Sequence, residues 1–115
     1  MEYINRSAAV IKPKQSFLEW LNALPDSDKP LNLADIQHDC TLLLLPEYDD
    51  EIQCRLYIKN LFKIIFEKEL EGFCIDSDYW PQKRDYKTFL QWFEIEIHSA
   101  IIDTVGKEII KEMLE

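Results

Sequence analysis

The chain has 115 residues, of which 47% are apolar and 30% are charged, and its formal net charge is −9. This length and apolar content suit one folded domain over residues 1–115 and argue against intrinsic disorder. Because 22 acidic residues outnumber 13 basic ones, the charge opposes binding to nucleic acid and to anionic membranes, so a charged partner is expected to be a basic protein.

The cysteines and the hydropathy pattern indicate the cellular compartment of the protein. Cys40, Cys54 and Cys74 are odd in number and form no CxxC pair, which argues against a disulfide framework or a zinc site and predicts small buried side chains. No apolar run approaches the roughly 20 residues of a membrane helix, and no signal region follows the start. These features predict a cytoplasmic protein in a reducing compartment.

The first elements in chain order are a strand and a helix. Residues 8–12 form a short apolar, β-branched run that ends at Pro13, as is typical of a strand. Ser16 and Glu19 have the spacing of a capping box, which predicts the start of a helix. Apolar residues then recur at helical spacing to Leu24, where the helix is expected to end.

The middle of the chain predicts a strand and the longest helix. Asn32 is expected to cap a short helix over residues 33–38. Residues 41–45 read TLLLL and stop at Pro46, which predicts a central strand covered on both faces. A long helix is predicted over residues 50–70, because acidic residues favour a helix start and Gly72 can supply a left-handed end.

The last third of the chain contains one ambiguous segment. Asp85 is expected to cap a short helix that runs to about Phe93. Residues 94–102, EIEIHSAII, fit either a strand or one face of a helix, and the strict alternation with four isoleucines favours the strand. Gly106 is then expected to precede a short helix over residues 107–114.

These elements together predict an α+β fold. A small three-stranded sheet would contain residues 8–12, 41–45 and 94–102, and one long helix and several short helices would pack against it.

The third strand offers the best candidates for chemistry. Glu94, Glu96 and His98 would project from one face, where they could ligate a metal ion or act as acid and base, with help from Arg84 or Asp103. The same alternation is typical of a half-exposed strand with a solvated outer face. That second interpretation is favoured.

The other motifs of the sequence give little indication of a cofactor-binding or ligand-binding site. The sequence contains neither GxGxxG nor GxxxxGK[ST], so no nucleotide cofactor, and no other cofactor, is expected. One cluster combines cations with aromatic rings: Tyr79, Trp80, Lys83, Arg84, Tyr86 and Lys87. Such a composition can stack on bases or anchor a partner, but a loop whose tryptophan enters the core is favoured.

Several segments together resemble a family of short bacterial proteins without an assigned function: VIKPKQSFLEWLNALP, TLLLLPEYDDE, EKELEGF, YWPQKR and FLQWFEIEIHSAIID. The resemblance covers about residues 5–105 and implies no particular activity, cofactor or partner. A label from an outer-membrane lipoprotein, VacJ, is sometimes attached to such sequences, but no lipidation cysteine follows a signal region here. The matching positions, which carry no assigned role, are Lys14, Trp20, Glu47, Trp80, Arg84, Trp92, Glu96, His98, Ser99 and Asp103.

Two functions are compatible with the sequence. The favoured one is a non-catalytic protein-interaction or accessory module of the bacterial cytoplasm, because the surface is acidic and no specific catalytic motif is present. The alternative is a small hydrolase or metal-dependent enzyme that uses Glu96 and His98.

Overall fold

The computed structural model describes residues 1–114 and shows an α+β fold, as predicted. The strands are β1 (Glu2–Tyr3), β2 (Arg6–Pro13), β3 (Thr41–Pro46), β4 (Phe93–His98) and β5 (Ile102–Asp103). The helices are α1 (Gln15–Asn22), α2 (Leu33–Gln37), α3 (Glu51–Lys59), α4 (Phe62–Glu71) and α5 (Tyr86–Trp92), with a 3-10 turn at Ser77–Tyr79.

The main sheet is antiparallel and three-stranded, in the order β3-β2-β4. A separate two-stranded sheet pairs β1 with β5, with Glu2 opposite Asp103. The eight-residue β2 is thus the centre of the main sheet, and both β3 and β4 are edge strands.

The helices pack on one face of the main sheet. Side chains alternate across a strand, and the buried ones on this face come from β2, β3 and β4: Ala9, Ile11, Leu45, Phe93 and Ile95. They join buried side chains from one stripe of each of α1, α3, α4 and α5: Phe17, Leu18, Leu21, Cys54, Ile58, Ile65, Phe66, Leu70 and Phe89. Fully burying each large apolar side chain contributes roughly 1.5–3 kcal/mol.

Side-chain caps form at three of the predicted helix starts. The Asn32 side chain accepts the backbone N–H of Asp35, whose carboxylate in turn accepts the N–H of Asn32, which completes a capping box. Asp50 accepts from the N–H of Gln53 at 2.8 Å and so begins α3. Asp85 begins α5 in the same way.

Two predicted helix ends are wrong. No side-chain cap forms at Ser16, because α1 begins earlier, with Lys14 as its N-cap. The backbone N–H of Lys14 is bonded to the carbonyl of Trp92 at 2.8 Å, so the end of β2 fixes where the helix starts. Gly72 is not left-handed, since its φ is −61°.

The single long helix over residues 50–70 is also wrong, because the structure divides it into α3 and α4. At the break the N–H of Leu61 bonds the carbonyl of Ile58 at 2.9 Å, three residues back, which tightens the last turn. Asn60, a weak helix former, stands at this point. Both helices still bury side chains in the same core, namely Cys54 and Ile58 of α3 and Ile65, Phe66 and Leu70 of α4.

The sheet differs from the prediction in three respects. β3 is an edge strand rather than the central one. β4 ends at His98, whereas the predicted strand continued to residue 102, and Ile102 belongs to the separate two-stranded sheet instead. The predicted helix over residues 107–114 does not form. Its apolar side chains Ile109, Ile110, Met113 and Leu114 stay exposed, so no core contact supports a helix there.

Candidate functional site

The face of the main sheet opposite the helices carries a set of side chains that the core does not use. We call it the open face. Strand alternation places residues of β2, β3 and β4 on it: Ala8, Val10, Lys12, Leu42, Leu44, Glu94, Glu96 and His98. None of them belongs to the main hydrophobic core cluster, although Ala8 on the central strand is buried.

The open face is apolar along β3. Leu42 is 66% exposed and Leu44 is 51% exposed, and they lie opposite Val10 and Ala8 of β2. Large aliphatic side chains are seldom left in water side by side on a strand. β3 pairs only with β2 among residues 1–114, so its outer edge also offers backbone N–H and C=O groups.

The open face is charged along β4. Glu94, Glu96 and His98 share this face, with Glu94 opposite Lys12 and Glu96 opposite Val10. The Nζ of Lys12 lies 3.4 Å from Oε1 of Glu96, a diagonal pair across the two strands. A half-exposed ion pair of this kind contributes well under about 1 kcal/mol.

The carboxylates and the imidazole of β4 do not form a metal cluster. Over residues 1–114, no group of three or more His, Cys, Asp or Glu side chains has the arrangement of a metal site. Glu96 instead faces the Lys12 ammonium, and His98 is exposed at the end of the strand.

Arg84 and Asp103, the proposed helpers, contact other parts of the molecule. The Arg84 guanidinium donates to the carbonyl of Pro81 at 2.6 Å and lies over the Trp80 ring, and it is 4.0 Å from Oε1 of Glu67 on α4. Asp103 lies in β5 and accepts from the N–H of Val105 at 2.8 Å.

Two titratable groups lie near the start of β3. Burial raises the pKa of the Cys40 thiol, and Lys12 lowers it by less, which favours the protonated form over the reactive thiolate. Burial also raises the pKa of the Glu69 carboxyl on α4, against a smaller lowering by its hydrogen bond with Thr41. Cys40 and Cys74 are half-buried, and Cys54 is buried.

Part of the basic and aromatic cluster makes contacts within the fold. Trp80 packs against the core, and its Nε1 donates to the carbonyl of Cys74 at 2.7 Å. Lys83 reaches Asp85. These contacts match the interpretation of a loop whose tryptophan enters the core.

The other positions of the resemblance divide between structural contacts and exposed sites. Trp20 donates to the carbonyl of Tyr79 at 2.9 Å, and Lys14 donates to the carbonyl of Leu90. Trp92 packs on the rings of Phe17 and Trp20. Glu47 and Ser99 are exposed.

The exposure of Leu42 and Leu44 was not predicted from the sequence, because their strand was expected at the centre of the sheet. The sequence signal for an unprotected edge strand was the absence of any charged residue in TLLLL. This absence is equally typical of a buried strand.

Comparison with known proteins adds no relative: no protein-family model, curated protein or solved structure matches the chain. Among the helices of residues 1–114, none has the length and apolar character needed to cross a membrane.

Proposed function

We propose that this protein is a non-catalytic interaction module that binds an extended segment of another protein along β3. The observation that carries the proposal is the exposure of Leu42 and Leu44 on a strand whose outer edge pairs with no other strand of residues 1–114. An extended segment that adds to such an edge gains main-chain hydrogen bonds, while its alternate side chains contact the apolar half of the open face.

The difference between the two sheet edges supports β3 as the binding edge. Natural proteins protect an edge strand from unwanted pairing with charged side chains. β4 has this protection, since Glu94, Glu96 and His98 point to its open face. β3 has no charged residue between Thr41 and Pro46, so it is the edge that remains able to pair.

The charges beside β3 indicate the chemistry of the partner. Asp39 precedes the strand, and Glu47, Asp49 and Asp50 follow it, all exposed. An antiparallel second copy centred on Leu43 would bring Asp39 of each chain opposite Glu47 of the other, which is unfavourable. A segment with an apolar centre and Lys or Arg on either side would satisfy both the strand and its flanks.

The proposed setting is the cytoplasm. All three cysteines are free thiols, as suits a reducing compartment. The net charge of −9 favours a basic protein partner over nucleic acid or an anionic membrane.

A charge substitution on the open face tests the proposal. Tagged wild-type protein and the variants Leu44→Lys and Ile64→Lys would be used to capture partners from a lysate of the source organism. Ile64 is the matched control, because it is an exposed isoleucine on α4, 55% exposed. We expect a protein that wild type and Ile64→Lys retain and that Leu44→Lys retains roughly tenfold less, since about 1.4 kcal/mol corresponds to that factor.

The captured protein must then bind through the predicted kind of segment. Truncation of the partner should locate the contact in an extended apolar stretch flanked by Lys or Arg. If the two lysine variants retain the partner equally, or if no protein is enriched, binding along β3 is ruled out.

A further inference from the structure

A second surface lies on the helical side of the molecule, away from the open face. A groove of about 570 Å³ separates the end of α1 and the loop after it from the segment around the 3-10 turn. Its volume is within the range of small-molecule sites, roughly 300–1,000 Å³. The residues that line it are Leu21, Leu24, Pro25, Asp26, Ser27, Leu31, Phe73, Cys74, Ile75, Asp76 and Tyr79.

Side-chain hydrogen bonds hold both walls of this groove. On one side the Asn22 amide donates to the carbonyl of Leu31 at 3.0 Å and accepts its N–H at 2.9 Å, which closes the loop. On the other side the indoles of Trp20 and Trp80 donate to the carbonyls of Tyr79 and Cys74. The walls are therefore fixed without a ligand, and preformed walls reduce the entropy cost of binding.

The floor of the groove is apolar and partly aromatic. Leu21 is buried beneath it, and the Phe73 ring packs edge-on against Phe17 at 5.3 Å while remaining 47% exposed. Tyr79 is 50% exposed. Exposed aromatic faces attract cations as well as apolar groups.

The charge of the groove has one sign. Among residues 1–114, Asp26 and Asp76 are the carboxylic acids that line the groove, and no Lys, Arg or His lines it. Asp76 uses one carboxylate oxygen to accept the N–H of Asp78, which fixes its position. An anionic ligand would meet repulsion here, whereas a cation would be attracted.

We propose that this groove binds a small organic cation, an amine or guanidine carried on an apolar or aromatic body. The apolar body would lie on Leu24 and Phe73, and the positive head would be attracted by Asp26 and Asp76, which line the same groove. The site is independent of β3 and does not rest on the proposed interaction function.

Four probe molecules test whether binding needs the positive charge, the apolar body or both. Phenylpropylammonium carries both the cation and the apolar body, whereas phenylbutanoate reverses the charge, phenylpropanol removes it and ethylammonium removes the ring. Binding is followed by NMR, with the indole signals of Trp20 and Trp80 as reporters of the walls. We expect saturable shifts with phenylpropylammonium, at least several-fold weaker binding of phenylpropanol and ethylammonium, and no shift with phenylbutanoate.

Two double variants test whether binding depends on the carboxylates of the groove or only on the net charge of the whole protein. Asp26→Asn with Asp76→Asn keeps the oxygen that caps the 3-10 turn, and we expect it to weaken phenylpropylammonium binding by roughly tenfold, as two partly screened ion pairs imply. Glu94→Gln with Glu108→Gln makes the same charge change elsewhere and should leave binding unchanged. Equal losses in the two variants, equal binding of phenylbutanoate, or shifts confined to the open face would each overturn the assignment.

Discussion

The two faces of the main sheet differ sharply although the same three strands form both. On the helical face, Phe93 contacts the rings of Phe17, Phe66 and Phe89 at centroid distances of 5.3, 5.6 and 5.2 Å. On the open face, Leu42 and Leu44 are more than half exposed. One face therefore provides the stability of the fold, and the other retains apolar side chains that the fold does not require.

The contrast is clearest within β3, where two neighbouring leucines have opposite surroundings. Leu45 is 1% exposed and belongs to the core, whereas Leu44 is 51% exposed. Since adjacent residues of a strand point to opposite faces, the same side chain stabilises the fold at one position and is available for binding at the next.

Truncation of these two leucines gives the largest expected effect. Leu45→Ala should lower the free energy of unfolding by about 2–5 kcal/mol, because it removes buried methyl groups and leaves a cavity. Leu44→Ala should cost less than about 1 kcal/mol, because most of the removed surface is already hydrated. Urea unfolding of both variants measures the difference. Equal costs would show that the open face is covered in the isolated protein.

Removal of the Glu69 charge, which lies between α4 and β3, should have a smaller effect on the free energy of unfolding, and this effect should depend on pH. Burial raises the pKa of Glu69 above its ordinary value of 4.5. The folded state then binds this proton more tightly than the unfolded state, so Glu69 costs stability as pH rises through its folded pKa. We expect Glu69→Gln to be more stable than wild type at pH 7 and to lose that advantage below pH 4.5.

The measurement is the free energy of unfolding of wild type and Glu69→Gln at several pH values. Glu94→Gln is the control, because Glu94 is exposed on the open face, and it should change stability less. A gain for Glu69→Gln that stays constant across the titration would contradict burial as the cause.

The fold was largely predictable where a short local pattern favours one type of element over the other. The alternation of residues 94–98 correctly indicated a strand, and Asn32, Asp50 and Asp85 correctly indicated helix starts. These signals depend on hydrogen bonds and periodicity within a few residues.

The charged half of the open face was predicted from the alternation of Glu94, Glu96 and His98. The apolar half along β3 was not predictable, because it depends on the order of the strands. The run TLLLL is apolar on both faces, and such a run is typical of a strand that is covered on both faces. Only the pairing of β2 with both neighbours reveals that β3 is at the edge and that Leu42 and Leu44 are exposed. Local patterns contain no information on which strand is central.

Disruption of the ion pair on the open face should give the smallest effect on stability. It is also the most sensitive test of whether that face is hydrated. Lys12 and Glu96 are 33% and 38% exposed at their side chains, and their charged atoms lie 3.4 Å apart. In a double-mutant cycle with Lys12→Met and Glu96→Gln, we expect a coupling of about 0.5 kcal/mol or less, because water screens the pair and two long side chains must be ordered. Unfolding at low and high salt measures this coupling, which added salt should reduce further. A coupling well above about 1 kcal/mol that salt does not change would mean that water is excluded from the open face, and the contrast between the two faces would then fail.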